Sequence, residues 1–369
     1  MIMTQDIIAI LGAFLLSMIC GFLFIPALLS FCKRKNLYDM PNQRKVHKCL
    51  IPRLGGIAFM PSMLIAFFIV MLIMGSHSVD SKITISTWTL GLLVSLLLIY
   101  GVGIVDDLIG LDAKVKFAVQ ILASAILPIC GLYINNLYGL FGLHEIPFYV
   151  GFPLTVLVFV FIDNAMNLID GIDGLSASLA ILALLGFLYS FIHNGLVVYA
   201  VLIAGLVGVL TAYLYFNVFG NPEKNRKIFM GDSGSLTLGF ILGFLFVKTS
   251  MNNPLVMPFS AARVILAYSL LIVPTFDVVR VIIHRLRAGS PIFDADKSHI
   301  HHKLMATGLS QHCTLGSILL LEVCFVAINL AIYEFVGKDF NLLLFTDILL
   351  YTVFNIALTK HTKVKAAQK

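Results

Sequence analysis

The sequence predicts an all-α integral membrane protein, a polytopic bundle of about eleven transmembrane helices. Of its 369 residues, 59% are hydrophobic and only 12% are charged, and the mean hydropathy is +0.98. Soluble domains carry charge on about a quarter of their residues, so this chain has too few charges to cover a water-exposed surface. Apolar runs of about 20 residues, the length that crosses a bilayer, also recur along the whole chain.

Short polar loops delimit the predicted spans. The spans cover residues 7–31, 55–75, 87–105, 117–134, 148–163, 175–193, 196–219, 235–250, 261–281, 316–336 and 342–359. The first run has no basic segment before it and no small-residue cleavage site after it, so we predict a retained span and not a cleaved signal peptide. Because no soluble domain or internal repeat interrupts the pattern, residues 1–369 are predicted to form a single membrane domain with a basic tail at 360–369.

Basic residues are distributed unequally between the two sides of this predicted bundle. Of the 25 Lys and Arg residues, 21 lie in the tail or near the loops after spans one, three, seven and nine, and the other side carries Lys82, Lys248, Arg263 and Lys338. Cytoplasmic loops are enriched in Lys and Arg, so we predict an outward amino terminus and a cytoplasmic carboxyl terminus. The net charge of +6 then reflects topology, and nucleic acid is not an expected partner. The six Cys residues form no CxxC pair, which argues against a disulfide or zinc framework.

A polar stretch from Asn164 to Gly174 follows the apolar run of the fifth span directly. Amide and carboxylate side chains recur there at every third position, at Asn164, Asn167, Asp170 and Asp173. Residues three apart are neighbours on a helix, so the first three share one face if the helix continues this far. Polar groups at the end of a membrane span are costly unless water, a cation or a ligand meets them. The sequence therefore predicts a binding site at this helix end.

The first cytoplasmic loop carries seven basic residues and ends in Pro52-Arg53-Leu54-Gly55-Gly56. Two interpretations of its charge stay open. The cations can enforce topology and contact anionic lipid, each contributing about 1 kcal/mol near such a surface. Lys48 and Arg53 are the better candidates for contact with a ligand, because the glycine pair beside them lets a ligand or a backbone approach closely.

Span three ends in two adjacent carboxylates, Asp106 and Asp107, and Lys114 and Lys116 precede span four. Adjacent carboxylates repel each other, so the pair is favoured only where a cation or a proton offsets the charge. One interpretation is a solvated helix end. The other is a site in which the acids hold a metal and the lysines hold an anion.

The loop before span eight ends in a run of small residues around one acid, Phe229-Met-Gly-Asp232-Ser233-Gly-Ser235. Small residues leave backbone N–H groups accessible at a helix start, which suits phosphate, and Asp232 suits a hard cation. A simple helix cap by Asp232 or Ser233 is the alternative.

The last large cytoplasmic loop combines Arg285 and Arg287 with a histidine cluster at His299, His301 and His302. This cluster is compatible with zinc, but no Cys residue or HExxH pattern accompanies it. Imidazolium and guanidinium groups that face a pyrophosphate fit the composition better. Asp277 and Arg280, three residues apart in span nine, are expected to form an intrahelical ion pair.

The cytoplasmic loops together supply open carboxylate oxygens and basic groups. Such oxygens imply Mg²⁺ or Mn²⁺, and the neighbouring cations imply phosphate. The many spans imply a substrate that resides in the lipid bilayer. This combination predicts phosphoryl transfer between a soluble nucleotide compound and a lipid phosphate.

Four motifs of the chain resemble, in this order and spacing, those of the polyprenyl-phosphate N-acetylhexosamine-1-phosphate transferases. They are Asp106-Asp107, the stretch from Asn164 to Gly174, Phe229-Met-Gly-Asp232-Ser-Gly and His299-Ile-His301-His302. The resemblance covers nearly the whole chain, including the eleven spans. The HxHH form is similar to the WecA/TagO branch, which takes UDP-N-acetylglucosamine, and differs from the three adjacent His residues of the peptidoglycan translocase branch.

The resemblance implies that UDP-N-acetylglucosamine and undecaprenyl phosphate react, with Mg²⁺ or Mn²⁺, to give GlcNAc-diphosphoryl-undecaprenol and UMP. It further implies a bacterial inner membrane, an active site on its cytoplasmic face and a homodimer. The implied metal ligands are Asn167 and Asp232, and the implied catalytic carboxylates are Asp106, Asp107 and Asp170. The implied substrate contacts are Lys116 at the lipid phosphate; Asp173, Phe229 and Asn217 at the nucleotide; His299, His301, His302 and Arg285 or Arg287 at the sugar-side diphosphate; and Lys48, Arg53 and Asn164.

Three alternatives remain open on the sequence. Another UDP-N-acetylhexosamine is compatible with the same motifs. A cation-coupled transporter would concentrate its acids near the bilayer midplane, whereas the main acids within these spans are Glu322 and Glu334. A CDP-alcohol phosphotransferase would require an Arg residue among the Asp and Gly residues of one helix, and no Arg follows Asp173 closely.

Overall fold

The computed structural model describes residues 4–39, 50–77, 86–254, 257–291 and 298–367. Lys48, one of the expected ligand contacts, lies outside these residues. The described chain forms thirteen α-helices, one 3-10 helix (Gly55–Ala58) and two short strands. The α-helices are α1 (Thr4–Lys35), α2 (Phe59–His77), α3 (Thr87–Ile109), α4 (Ala113–Ile129), α5 (Phe148–Ile169), α6 (Leu175–His193), α7 (Val197–Val218), α8 (Asp232–Ser250), α9 (Ala261–Ser269), α10 (Ile272–Ala288), α11 (Ile300–Ala306), α12 (Gln311–Phe335) and α13 (Phe340–Ala367).

Each predicted apolar run coincides with a helix, and the run at 261–281 coincides with the pair α9 and α10. Among the described residues, nine helices are long and apolar enough to cross a membrane, and the pair α9 and α10, bent by 56°, makes a tenth. Helix α4 has only 17 residues, which is about 26 Å of helix against a hydrocarbon core of about 30 Å. The chain is thus a helical multi-pass membrane protein, and the count of eleven crossings and the orientation stay predictions.

Helix α8 lies at the centre of the bundle, where nearly all of its residues are buried. Close approach of neighbouring backbones makes this possible. A Cβ atom on Gly239 would lie 2.6 Å from the Cα of Asp163 in α5, and one on Gly103 of α3 would lie 2.5 Å from the Cα of Ser233. Small residues at helix interfaces allow such contacts. They bring the ends of α3 and α5 to the start of α8.

The break between α9 and α10 leaves the start of α10 inside the bundle. The carboxylate of Glu322 in α12, which is fully buried, accepts a hydrogen bond of 2.9 Å from the backbone N–H of Val273. A helix start has unpaired N–H groups and partial positive charge, both of which favour a carboxylate. Glu322 therefore caps α10, which explains this acid within an apolar span.

The all-α prediction misses a small antiparallel hairpin, formed by β1 (Asn136–Leu140) and β2 (Leu143–Glu145). It joins α4 to α5 and is fixed to the loop after α8, where Asn135 and Asn252 exchange hydrogen bonds of 2.8 and 2.9 Å. The strands are too short to show an alternating pattern, and their backbone hydrogen bonds need no special side chains.

Candidate active site

Four helix ends converge at one end of the bundle: the last turns of α3 and α5 and the first turns of α4 and α8. Consecutive spans run in opposite directions, so the end of one helix meets the start of the next. The residues that the sequence singled out in three separate loops therefore come together here. The side chains that meet are Asp106, Asp107, Lys116, Asn167 and Asp232.

The centre of this site is an ion-pair cluster around Lys116. Its Nζ lies 2.6 Å from Oδ2 of Asp232 and 3.2 Å from Oδ2 of Asp106. The amide Nδ2 of Asn167 donates to the other oxygen of Asp232 at 3.2 Å and to Oγ of Ser235 at 2.8 Å. The side chains of Lys116 and Asp232 keep about a quarter of their surface exposed, 24% and 25%, so a ligand can reach them.

Asp107 faces away from this cluster and binds the backbone of α8. Its two carboxylate oxygens accept hydrogen bonds from the N–H groups of Asp232 at 2.8 Å and Ser233 at 2.9 Å, and the residue is only 4% exposed. The cap that the sequence assigned to Asp232 or Ser233 thus comes from a different helix. With both oxygens on the backbone, Asp107 is placed to position Asp232, and Asp106 is the carboxylate that faces the cluster.

Two further contacts fix this arrangement. Arg53 donates from Nε to the backbone carbonyl of Asp107 at 2.8 Å. Arg53, which the sequence predicted to contact a ligand, thus binds another segment of the protein with this nitrogen. Gly231 has a φ of 73°, and a Cβ there would lie 2.1 Å from the carbonyl oxygen of Arg53. Only glycine fits this position.

Asp170 follows α5 and makes no side-chain hydrogen bond or ion pair within the described part of the chain. Burial raises its pKa to about 7, and the negative charges of Asp232, Asp173 and Asp107 add to the shift. A carboxylate that is hard to ionise beside other acids marks a region that would favour a cation. Asp170 is therefore placed to add negative charge to the same site.

Asn164 makes its contacts inside the bundle. Its Nδ2 donates to Oε1 of Gln120 at 3.0 Å and to the carbonyl of Val160 at 2.7 Å. Gln120 in turn donates to Oδ2 of the buried Asp163 at 2.9 Å. This chain of polar groups connects α4 to α5 directly below the cluster. The sequence analysis missed Gln120 and Asp163, although Gln120 lies one turn after Lys116 and Asp163 directly precedes Asn164.

A second group of predicted residues lies around the α5–α6 loop. Asp173 pairs with Lys227 at 2.7 Å. Asn217 is buried, accepts from the N–H of Gly174 at 2.6 Å and donates to the carbonyl of Ile228 at 2.8 Å. Because both polar ends of its amide bind the backbone, Asn217 joins two loops, and its contact with the nucleotide stays a prediction. Lys227, which the sequence did not single out, is the cation of this group.

Phe229 is held by its backbone, and its side chain remains partly exposed. Its N–H donates to the carbonyl of Pro52 at 2.7 Å, and its carbonyl accepts from the N–H of Gly55 at 2.9 Å. This short backbone pairing ties the loop after α1 to the segment that leads into α8. The glycine pair predicted to allow a close approach thus admits another segment of the chain.

The histidine motif is organised by Asp277 of α10. Asp277 Oδ2 lies 2.8 Å from Nδ1 of His299, and its Oδ1 lies 2.7 Å from Nη2 of Arg280 and 3.1 Å from the N–H of Ile300. The intrahelical ion pair expected between Asp277 and Arg280 is confirmed. Asp277 also orients His299 and the start of α11, a function that sequence spacing did not indicate.

His301 is buried against the α5–α6 loop, and a Cβ on Gly171 would lie 2.1 Å from its Nε2. Neither ring nitrogen has a hydrogen-bond partner in the described chain. Burial, with the neighbouring His302 and His299, lowers the pKa of His301 to about 3, so the ring is neutral at neutral pH and not the expected imidazolium. An anion beside the ring would favour its protonated form.

The resemblance implied Arg285 or Arg287 as a diphosphate contact, and the two residues lie on different sides of α10. Arg285 is buried, and Arg287 is exposed in a groove between α10 and α13. Of the predicted diphosphate ligands, His301 lies against Gly171 of the α5–α6 loop, His299 and His302 lie beside it, and Arg287 lies in the separate groove.

Comparison with known proteins agrees with these motifs. Residues 89–250 match the glycosyl transferase family 4 model. The chain is 32% identical, over 87% of its own length and 84% of the relative's, to the "Probable undecaprenyl-phosphate N-acetylglucosaminyl 1-phosphate transferase" of Bacillus subtilis. It is 33% identical to the "Decaprenyl-phosphate N-acetylglucosaminephosphotransferase" of Mycobacterium tuberculosis, over 79% of this chain and 74% of the relative. It is 29% identical to the "Undecaprenyl-phosphate alpha-N-acetylglucosaminyl 1-phosphate transferase" of Escherichia coli, over 78% and 76%.

These relatives give no support to the transporter alternative. The match to the Bacillus relative spans most of both chains, and the family model covers the helices that carry the acidic cluster. The chain belongs to glycosyl transferase family 4 and is a membrane-embedded sugar-1-phosphate transferase.

Proposed function

We propose that the protein transfers N-acetylglucosamine 1-phosphate from UDP-N-acetylglucosamine to undecaprenyl phosphate and releases UMP. An oxygen of the lipid phosphate forms a bond to the β-phosphorus of the sugar nucleotide. The bond from that phosphorus to the oxygen bridging it to the α-phosphorus breaks, and UMP leaves with the electron pair. The observation that carries the proposal is the Lys116 ammonium between Asp106 and Asp232, at a site where four helix ends meet.

The donor groups of the site are compatible with Mg²⁺. No preformed group of three His, Cys, Asp or Glu ligands exists among the described residues, but Mg²⁺ takes only one or two carboxylates when substrate phosphates and water complete its shell. Asp232 and Asn167, with the unpaired carboxylate of Asp170 nearby, would hold it. When bound, Mg²⁺ neutralises charge on the diphosphate.

The residues around the cluster act mainly by positioning and by charge. The second pKa of a phosphate monoester is about 6, so the acceptor is already mostly a dianion and needs no strong base. Lys116 attracts and orients it, and Asp106 holds Lys116 in place. Asp107 keeps the start of α8 in position. This supports direct attack without a covalent intermediate on Asp107, because both of its oxygens are engaged.

The sugar nucleotide is proposed to extend from the cluster toward the two neighbouring loops. Asp173 and Phe229 flank the side proposed for uracil, where Lys227 balances the charge of Asp173. His301 lies against Gly171 on the other side, with His299 and His302 beside it. The bacterial inner membrane and the cytoplasmic position of the site belong to the same proposal, supported by the basic loops at this end and by the bacterial relatives. Mg²⁺ and a homodimer are included on the resemblance of the motifs.

The test is UMP release by the purified protein in detergent with undecaprenyl phosphate and Mg²⁺. Separate reactions contain UDP-N-acetylglucosamine, UDP-N-acetylgalactosamine or UDP-N-acetylmuramoyl-pentapeptide. Release with the first sugar nucleotide alone, and its loss with EDTA, is the expected result. Release with the second would assign another N-acetylhexosamine, and release with the third would contradict the branch suggested by the HxHH motif.

A further inference from the structure

A groove of about 670 Å³ runs between α10 and α13, outside the active site. Its described lining residues come from α10, α11 and α13. Phe276 and Tyr351 contact each other across it with ring centroids 5.6 Å apart. Val279 and Ile283 of α10 and Leu344 and Ile348 of α13 add apolar lining. The two helices leave an apolar channel along their length.

One end of this groove is strongly basic. Arg280, His284, Arg287, Lys303 and Lys360 line it, and no acidic side chain does among the residues that the structure describes. Asp277 pairs with Arg280, so no described lining residue balances the charges of Arg287, Lys303 and Lys360. Burial and the charge of Arg280 lower the pKa of Lys303 to about 8. The groove therefore combines an apolar channel with a cationic end.

The dimensions of the groove match one leaflet of a bilayer. From Leu344 to Ile356, the lining stretch of α13, which is apolar apart from Thr352 and Asn355, measures about 18 Å, and one leaflet contributes about half of a hydrocarbon core of about 30 Å. Lys360 lies one turn beyond Ile356, and Arg287 near the end of α10 and Lys303 of α11 line the same end of the groove. A lipid tail along the channel would place its headgroup among them.

The groove is separate from the place proposed for the lipid substrate. The lining contains no residue of α3, α4, α5 or α8, which carry Asp106, Lys116, Asn167 and Asp232. Asp277 lies between the two: its side chain contacts Tyr351 of the groove and His299 of the site. The groove thus adjoins the histidine motif, but none of the three histidines lines it.

We propose that this groove binds one anionic phospholipid of the surrounding bilayer, with its phosphate among Arg287, Lys303 and Lys360 and an acyl chain between α10 and α13. Basic pockets between membrane helices on the cytoplasmic side recognise such headgroups. The lipid would join α10 and α11, which carry Asp277 and the histidine motif, to α13. It is a structural ligand and not the acceptor. The proposal does not depend on the proposed reaction.

The test is native mass spectrometry of the detergent-purified protein with equal amounts of phosphatidylglycerol and phosphatidylcholine. The wild type is expected to retain one phosphatidylglycerol in preference to phosphatidylcholine. Lys303→Gln with Lys360→Gln should lower that occupancy ratio by about tenfold or more, since each cation near a lipid phosphate contributes about 1 kcal/mol. Lys338→Gln, an exposed lysine between α12 and α13, is the matched control and should leave the ratio unchanged.

A second variant tests the channel without altering charge. Thr352→Trp introduces a large side chain at an exposed lining position and should displace the lipid. Equal retention of both phospholipids by the wild type, or unchanged retention in both variants, would overturn the proposal. Displacement of phosphatidylglycerol by stoichiometric undecaprenyl phosphate would also overturn it and would assign the groove to the acceptor. Because no sugar nucleotide is present, the result is independent of enzyme activity.

Discussion

The starts of helices α8 and α10 are each capped by a carboxylate from another helix. Asp107 of α3 accepts from the N–H groups of Asp232 and Ser233, and Glu322 of α12 accepts from the N–H of Val273. Buried N–H groups without a partner are costly, and a carboxylate also interacts favourably with the helix dipole. In both cases a buried carboxylate thus holds the start of a helix that carries residues of the site.

The two caps differ in their distance from the chemistry. Asp107 holds the very residue, Asp232, that contacts Lys116. Glu322 holds a helix start, and the functional side chain, Asp277, lies about one turn further along α10. Glu322 also uses one oxygen, while Oε1 has no partner in the described chain. Helix α8 is therefore held at Asp232 itself, whereas α10 is held at Val273, about one turn before Asp277. Loss of Asp107 should therefore have the larger effect.

Asp107→Ala should have the larger effect of the two cap variants on both stability and activity. It leaves two buried N–H groups unpaired, which costs about 2–4 kcal/mol, and displacement of Asp232 should lower kcat by about 10²-fold. Asp107→Asn, which keeps one acceptor oxygen, should lose less. Thermal unfolding and UMP release measure the two effects. An Asp107→Ala protein with wild-type stability but no activity would instead make Asp107 a catalytic residue.

Lys116→Gln should lower kcat by about 10²-fold, because the substituted side chain carries no charge to orient the acceptor phosphate. Removal of the ammonium 2.6 Å from Asp232 should also make that carboxylate more accessible to a cation, so the Mg²⁺ concentration for half-maximal rate should fall. Lys114→Gln, at an exposed position two residues away, is the control. An increased requirement for Mg²⁺ in Lys116→Gln would contradict the inference that Lys116 competes with the cation for Asp232.

Glu322→Ala tests the remote cap. The loss of one buried acceptor should destabilise the protein by about 1–3 kcal/mol, and misorientation of α10 should lower kcat by about tenfold. Glu322→Gln retains a carbonyl acceptor and should recover most of the activity. Rescue by Gln separates capping from charge: a Gln variant as inactive as the Ala variant would show that the carboxylate has a further function.

Lys227→Gln should have the smallest effect of these changes. It removes the partly exposed ion pair with Asp173, which contributes about 1 kcal/mol or less, and lies away from both helix starts. We expect KM for the sugar nucleotide to change by about two- to fivefold with kcat unchanged. Steady-state kinetics measure this, with Lys224→Gln in the same loop as control. A large loss of kcat would instead place Lys227 among the reacting groups.

The membrane fold was largely predictable, because each apolar run must be long enough to cross the bilayer and each became a helix or a helix pair. The convergence of Asp106, Lys116, Asn167 and Asp232 was also predictable, from alternating helix direction and from acids and lysines at helix ends. What the sequence could not assign was the direction of each side chain. Asp106 and Asp107 are adjacent, and neighbours on a helix point about 100° apart, so only the packing of α3 against α8 decides which one faces the cluster.

Other contacts depended in the same way on which helices pack together. The cap of α10 by Glu322 requires α12 to lie beside the break in span nine. The two hydrogen bonds of Asn217 with the backbone require the α5–α6 loop to lie beside the segment before α8. Neither relation follows from periodicity or composition along one segment. The hairpin β1–β2 was missed because a few residues with backbone hydrogen bonds leave no alternating pattern.

The most direct test of the account is UMP release by Asp232→Asn beside Asp339→Asn. Both variants remove one carboxylate charge at the start of a helix, but Asp339 is exposed and caps α13 through the N–H groups of Asn341 and Leu342. We predict that Asp232→Asn loses about 10²–10³-fold or more of the rate while it stays folded, and that Asp339→Asn retains wild-type activity. Wild-type rates of UMP release in Asp232→Asn would contradict the assignment of the active site to the Asp106–Lys116–Asp232 cluster.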